Sequence, residues 1–136
     1  MNVTPDQNTD TKPKGELALQ TLAMPRDTNA NGDIFGGWLV GQMDLAAGIM
    51  TKRAVKGRSA TVAIKDVAFH RPVSVGSIVS CYAEIVKIGR TSLHIAVEVW
   101  ASSYRSQDSW HKVGEGLFVF VAIDDAGKPR VIATES

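Results

Sequence analysis

Asp44 is the side chain best placed to do chemistry. It is the only charged residue from Gly36 to Met50, a stretch whose apolar residues recur at helical spacing. Gly37, Gly41, Asp44 and Gly48 follow one another at i, i+4, i+7 and i+11, so they share one stripe of that helix. Each glycine costs about 1 kcal/mol relative to alanine in a helix interior. Something must use the space: either another backbone packing closely at a subunit contact, or a narrow channel that ends at a carboxylate. Asp44 has two readings as well. A charge among apolar residues is costly unless paired, so it is either a satisfied structural carboxylate or a reactive one, suited to act as general base or nucleophile.

Gly36 and Gly37 open the helix. The first N–H groups of a helix lack intrahelical partners and carry the positive end of its dipole, so they can polarise a carbonyl and stabilise an oxyanion. Seven residues separate Gly37 from Asp44, which is about 10 Å along the axis. One helix therefore does not hold both the oxygen and the carbon of a single carbonyl. If both residues act on one substrate they come from two chains, which implies a dimer with shared sites. Asn29 and Asn31 lie in the turn-forming run Arg26–Asp33 just upstream. A turn role suffices for Asn31. Asn29 is read either as a turn residue or as a group that holds water or a carbonyl.

The elements that must position these residues are legible from periodicity. Residues 16–23 alternate loosely and read as a first strand ended by Pro25. Residues 36–56 read as the main helix, with Leu39, Met43, Ala46 or Ala47, Met50 and Ala54 on its apolar face. After Gly57 the period changes to that of strands, predicted over 59–69, 78–88, 91–101 and 113–123, with Gly89-Arg90 as a hairpin turn. Helix and strands are segregated. The fold class is therefore α+β, with a mainly antiparallel sheet wrapped around one long helix.

Composition narrows the function classes. The chain has 136 residues, enough for one domain with a real core. Fifteen Lys and Arg against fourteen Asp and Glu give a net charge of +1, which argues against nucleic-acid or membrane partners. A single cysteine, Cys81, excludes an internal disulfide and a cysteine-rich zinc site. His70, His94 and His111 match no metal spacing, so no metal is expected. Residues 1–14 are polar and read as a disordered tail without a signal peptide, which implies a cytoplasmic location. The domain is predicted over 15–130, with a second tail at 131–136. No Gly-x-Ser-x-Gly elbow and no phosphate-binding Gly-Lys-Ser/Thr is present.

The run from Leu22-Ala23-Met24-Pro25 through Asp27-Thr28-Asn29-Ala30-Asn31-Gly32-Asp33-Ile34-Phe35-Gly36-Gly37-Trp38, continued by Gln42-Met43-Asp44, resembles the signature of the hot-dog-fold acyl-CoA thioesterases of the bacterial YciA type. Phe69-His70-Arg71-Pro72-Val73-Ser74-Val75-Gly76, Gly89-Arg90-Thr91-Ser92 and Val97-Glu98-Val99-Trp100 also fit, and the match spans about Gly15 to Pro129. At Gly76-Ser77 the chain departs from a usual Gly-Asp, at a position read as a turn. The resemblance implies a hot-dog fold, homodimers that assemble as trimers of dimers, and hydrolysis of acyl-CoA. It makes Asp44 the catalytic carboxylate and Asn29 its partner from the opposite subunit. Gly36 and Gly37 become the oxyanion donors. No cofactor is implied, since CoA is part of substrate and product.

The phosphates of CoA call for cations near the mouth of the groove. Arg71, Arg90 and Lys87 are candidates, with ordinary surface charge as the alternative. Thr91 and Ser92 are either further CoA contacts or solvent-facing strand residues. Two other functions compete. A hydratase of the same fold would use a histidine beside the carboxylate, and none precedes His70. A non-catalytic acyl-CoA-binding or sensing protein would bind the ligand without turnover.

Overall fold

The computed structural model describes residues 12–102 and 110–132. Five strands and one long helix make up its regular structure. The strands are β1 (Glu16–Leu22), β2 (Arg58–Phe69), β3 (Ile78–Ile88), β4 (Ser92–Ser102) and β5 (His111–Ile123). The helix is α1 (Gly36–Ala54), and a single 3-10 turn (Pro25–Asp27) precedes it. The strands form one antiparallel sheet in the order β1-β3-β4-β5-β2. This is the wrapped-helix α+β architecture that the element order predicts.

Alternation decides which face of the sheet meets the helix. Val79, Cys81 and Ala83 of β3 and Leu93, Ile95, Val97 and Val99 of β4 are fully buried. In β5, Phe118, Phe120 and Ala122 fill the same role, and the register sets Ile95 opposite Phe118 and Leu93 opposite Phe120. From α1, Leu39, Met43, Ala46, Ala47 and Met50 enter this core, as their spacing requires. Gly116 is a true close approach: a Cβ there would lie 2.9 Å from Val67 Cγ2 and 3.3 Å from Met43 Cε.

The ends of several elements differ from expectation. The helix stops at Ala54 rather than Lys56, because Val55 turns extended and drops into the core at 3% exposure. The chain then reverses at Gly57, whose φ of +86° suits glycine. A Cβ at Gly57 would also strike the Arg130 guanidinium, which bonds the carbonyls of Lys56 and Arg58 across the turn. Gly76-Ser77 is the expected turn, with Gly76 at φ +87° and Ser77 N–H donating to Ser74 O. Trp100 shares the outward face with Glu98, yet it is 1% exposed. It stacks on Trp110 and its Nε1 donates to Glu98 Oε1, which makes a small second core on the convex side.

Residues 1–11 and 133–136, which hold most of the predicted tails, lie outside the described residues, as do 103–109. Lys14 N–H donates to Glu98 Oε1 and Ile132 N–H donates to Arg90 O, so both tail boundaries are tied to the sheet.

Phe118 is fully buried in the core, opposite Ile95 in the sheet. Phe118→Ala is expected to cost about 3–5 kcal/mol of stability. Urea unfolding at fixed protein concentration measures it, and a loss below ~1 kcal/mol would contradict this placement of the core.

Candidate active site

Asp44 is half-buried on the face of α1 that turns away from the centre of the sheet. Its carboxylate is not alone. Thr61 Oγ1 on β2 donates to Asp44 Oδ1 at 2.8 Å. The β2 register shifts between Thr61 and Ala63, and such a bulge re-aims side chains. Nothing in the sequence marks Thr61 for this role, because threonine is an ordinary strand former and no local feature separates it from its neighbours. Its hydroxyl fixes one carboxylate oxygen and leaves the other able to meet water or an electrophilic carbon.

The glycine stripe divides into two parts. A Cβ at Gly37 or Gly41 would meet nothing within 4 Å, so this part of the helix faces open space. Gly48 lies against the Phe120 ring and Gly36 against the Phe69 ring, both at ordinary contact distance. Leu45, on the same side of the helix, is 57% exposed. Close packing among the described residues therefore does not account for Gly37 and Gly41.

The start of α1 has Phe35 at its N-cap and no side-chain cap. The first-turn N–H groups, including those of Gly36 and Gly37, are thus not occupied by a capping oxygen. Gly36 also lines a cleft of about 350 Å³ with Ile34, Leu39, Phe69, Arg71 and Val73. Its floor is apolar and its rim polar.

Asn29 proves to be a turn residue with a spare donor. Its Oδ1 accepts from Asn31 N–H at 2.8 Å and from Asp33 N–H at 3.1 Å, and its own N–H donates to Asp33 O. These bonds orient the amide. Among the described residues no acceptor meets Nδ2, so the Asn29 amide can donate to a carbonyl or water but cannot accept from one through Oδ1 without leaving its loop. Asn31 serves the turn, as its type suggests.

The candidate CoA contacts fall at two ends of the chain. Arg71 lies at the helix N-terminal cleft. Arg90, Thr91 and Ser92 lie in the β3–β4 hairpin, tied to the far end of β5 by Ala122 N–H to Thr91 O and to the C-terminal segment by Ile132 N–H to Arg90 O. A single chain does not bring these groups together. His70 points its Nε2 at Glu115, 2.9 Å away, and Lys112 completes that cluster at 3.0 Å. Burial pushes the Cys81 thiol up to about 12, so it stays protonated and is no nucleophile. Among the described residues no three of His, Cys, Asp and Glu are grouped to hold a metal ion, and no helix is long and apolar enough to cross a membrane.

An apolar helix cradled by one antiparallel sheet is the hot-dog architecture, and its open side carries a carboxylate and an uncapped helix start. Residues 31–106 match the thioesterase superfamily, and the chain belongs to it. Within that superfamily it stands with the YciA acyl-CoA thioester hydrolases. It is 50% identical over 128 residues to the one from Salmonella typhimurium, across 93% of this chain and 96% of that protein. A hexameric thioesterase from Yersinia pestis superposes with a TM-score of 0.87 at 48% identity, covering 90% of this chain and 100% of that one. A hexameric hotdog fold thioesterase of Campylobacter jejuni superposes with a TM-score of 0.81 at 40% identity, covering 88% and 91%.

The orientation of Asn29 is open to a direct test. Asn29→Ala removes the acceptor for two backbone donors, each bond being worth about 1 kcal/mol. Amide exchange at Asn31 and Asp33 is expected to quicken by roughly tenfold or less per bond, with the sheet unaffected. Unchanged exchange at both would refute the loop role.

Proposed function

We propose that this chain hydrolyses acyl-CoA thioesters, acyl-CoA plus water giving a carboxylic acid and CoA, at sites shared between two copies. The observation that carries this is the Asp44 carboxylate, held by Thr61 beside helix positions that carry no side chain and face open space among the described residues. Activity named for relatives at 50% identity supports the same reading.

In the proposed reaction the thioester carbonyl lies against the first-turn N–H groups of Gly36 or Gly37, with Asn29 Nδ2 as a further donor. Asp44 of the second chain acts on the carbonyl carbon. As general base it takes a proton from water, whose oxygen bonds to the carbon; the C–S bond then breaks, and the departing thiolate takes up a proton to give CoA. As nucleophile it would form an anhydride with loss of CoA thiolate, and water would then open the anhydride. Neither route needs a cofactor.

The second chain fits along β2. That strand is an edge of the sheet, and Val62 and Ile64 on it are 58% and 45% exposed. An unpaired edge with apolar side chains is a surface that proteins cover. Antiparallel pairing of two β2 strands would set the two helices side by side, glycine stripes inward. It would also carry the Arg71 end of one chain toward the Arg58 and Arg90 end of the other. Arg71, Arg90, Thr91 and Ser92 would then border one groove for CoA. The hexameric state of the relatives favours three such dimers per assembly.

Asp44→Asn is expected to lower hydrolysis by about 10²–10⁴-fold, and Asn29→Asp, which keeps the loop acceptor but loses the donor, by a similar order. CoA release from acetyl-CoA and longer acyl esters, followed with a thiol reagent, gives both rates. Mixed assemblies of the two variants hold some sites with both groups intact and should regain part of the activity; no recovery would exclude the shared site. Binding of CoA without turnover by the parent chain would point instead to a non-catalytic acyl-CoA-binding protein.

A further inference from the structure

The first turn of α1 is steadied without a capping side chain. A capping oxygen would hold the turn, but it would also occupy the N–H groups that the proposed reaction needs. The backbone fixes the approach instead. Ile34 N–H donates to Val73 O, and Phe35 N–H donates to Asp27 O. On the flank of the turn, a Cβ at Gly36 would meet only the Phe69 ring, with Cε2 at 3.6 Å and Cδ2 at 3.8 Å, its own helix and chain neighbours aside. A ring in van der Waals contact steadies a helix start while supplying no lone pair to its N–H groups.

Three features of the sheet send the ring there. First, β2 bulges between Lys65 and Ala68, where Asp66 takes a left-handed φ of +54°. Second, the strand end beyond the bulge closes on β5 over two glycines that face the helix. A Cβ at Gly116 would lie 2.9 Å from Val67 Cγ2. A Cβ at Gly114, directly opposite Phe69 in register, would lie 2.7 Å from Phe69 Cδ1 and would also strike the Ala68 carbonyl. Any side chain at position 114 would take the place of the ring. Third, His70 anchors the strand end to β5: its N–H donates to Val113 O at 2.7 Å, and its Nε2 lies 2.9 Å from Glu115 Oε2. Filling the core does not explain this arrangement, because Phe69 stays 37% exposed and lines the same cleft as Gly36.

We propose that Phe69 is a positioning residue. Its ring, held across Gly114, braces the first turn of α1 at Gly36 and so fixes the direction of the Gly36 and Gly37 N–H groups toward the thioester carbonyl. The proposal rests on the hydrolysis reading for what those donors do. It brings β5 into the geometry of the site through a residue that has no side chain.

Phe69→Leu keeps an apolar side chain but loses the reach of the ring, and Phe69→Tyr keeps the ring. Hydrolysis of acetyl-CoA and calorimetric binding of free CoA separate a brace from a substrate contact. Phe69→Leu is expected to lower kcat by about tenfold or more while KM and CoA affinity stay within about twofold, because misaimed donors weaken the transition state more than the ground state. Phe69→Tyr should stay within about threefold of the parent kcat. Amide exchange at Leu39 and Val40, whose N–H groups close the first turn onto Phe35 and Gly36, should quicken in Phe69→Leu while exchange in β3 and β4 is unchanged. Gly114→Ala, which displaces the ring from beneath, should reproduce the kcat loss; if that variant does not fold, the two Phe69 variants decide alone. An unchanged kcat in Phe69→Leu would overturn the proposal, as would an equal loss in Phe69→Tyr, a loss confined to KM and CoA affinity, or unchanged exchange at the helix start. If the parent chain releases no CoA from acyl-CoA, the hydrolysis reading falls and the exchange at Leu39 and Val40 still decides the brace. If Phe69→Leu hydrolyses acyl-CoA at the parent rate, the brace falls alone.

Discussion

A single sheet can cover only one side of a helix. In this chain the sheet takes the side that carries Leu39, Met43, Ala46, Ala47 and Met50, and among the described residues no other layer takes the rest. The uncovered side is made narrow by glycine at Gly37 and Gly41 while Leu45 stays exposed. A helix so apolar on its open side is stable in water only if something meets it. Glycines give that visitor access to the helix backbone. The exposed β2 edge lies next to the same surface. Backbone pairing there and apolar contact at Leu45 would be satisfied by one event, the arrival of a second copy.

That constraint also explains why the polar groups of the site sit so far apart within one chain. Asp44 is two turns below the helix start, and Asn29 is upstream of it. Each is locally satisfied in a way that leaves one function spare. Thr61 fixes one oxygen of Asp44 and frees the other. Two backbone donors hold Asn29 Oδ1 and so turn its amide hydrogens outward. The helix start has no capping side chain. In the proposed reaction such preorganisation would cost nothing at the moment of bond breaking, because the loop and the strand have already oriented the groups during folding.

Much of this is legible in the order of the residues. The 3.6-residue recurrence locates the helix and its buried face correctly, since one layer of sheet reads that stripe and little else. The strand bounds agree within two residues because turns at Gly57, Gly76 and Gly89 punctuate them. Asp44 stands out because it is charged where nothing else is. Thr61 and the contact of Phe69 with Gly36 do not stand out, for one reason: each depends on which residues of β2 lie beside α1. That adjacency is set by β2 crossing to pair with the last strand, a long-range fact with no local signature. The burial of Trp100 is hidden in the same way, since it depends on Trp110.

The net charge of +1 also means less than the arithmetic suggests. It is a sum over the whole chain that hides two surfaces of opposite character. On the convex face Asp66, Glu84, Glu98 and Glu115 gather around Lys14 and Lys112, and the carboxylates outnumber the ammonium groups. At the far end of α1, Lys52, Lys56 and Arg58 border a cleft with no acidic lining among the described residues. A balanced total argues against a partner that engages the whole surface, such as a nucleic-acid backbone or an anionic bilayer. It says nothing against a small anion, which responds to the few charges within a Debye length. Near-neutrality is therefore compatible with a substrate that carries its charge at one end and its reactive bond at the other, provided that the protein separates its own charges over the same span.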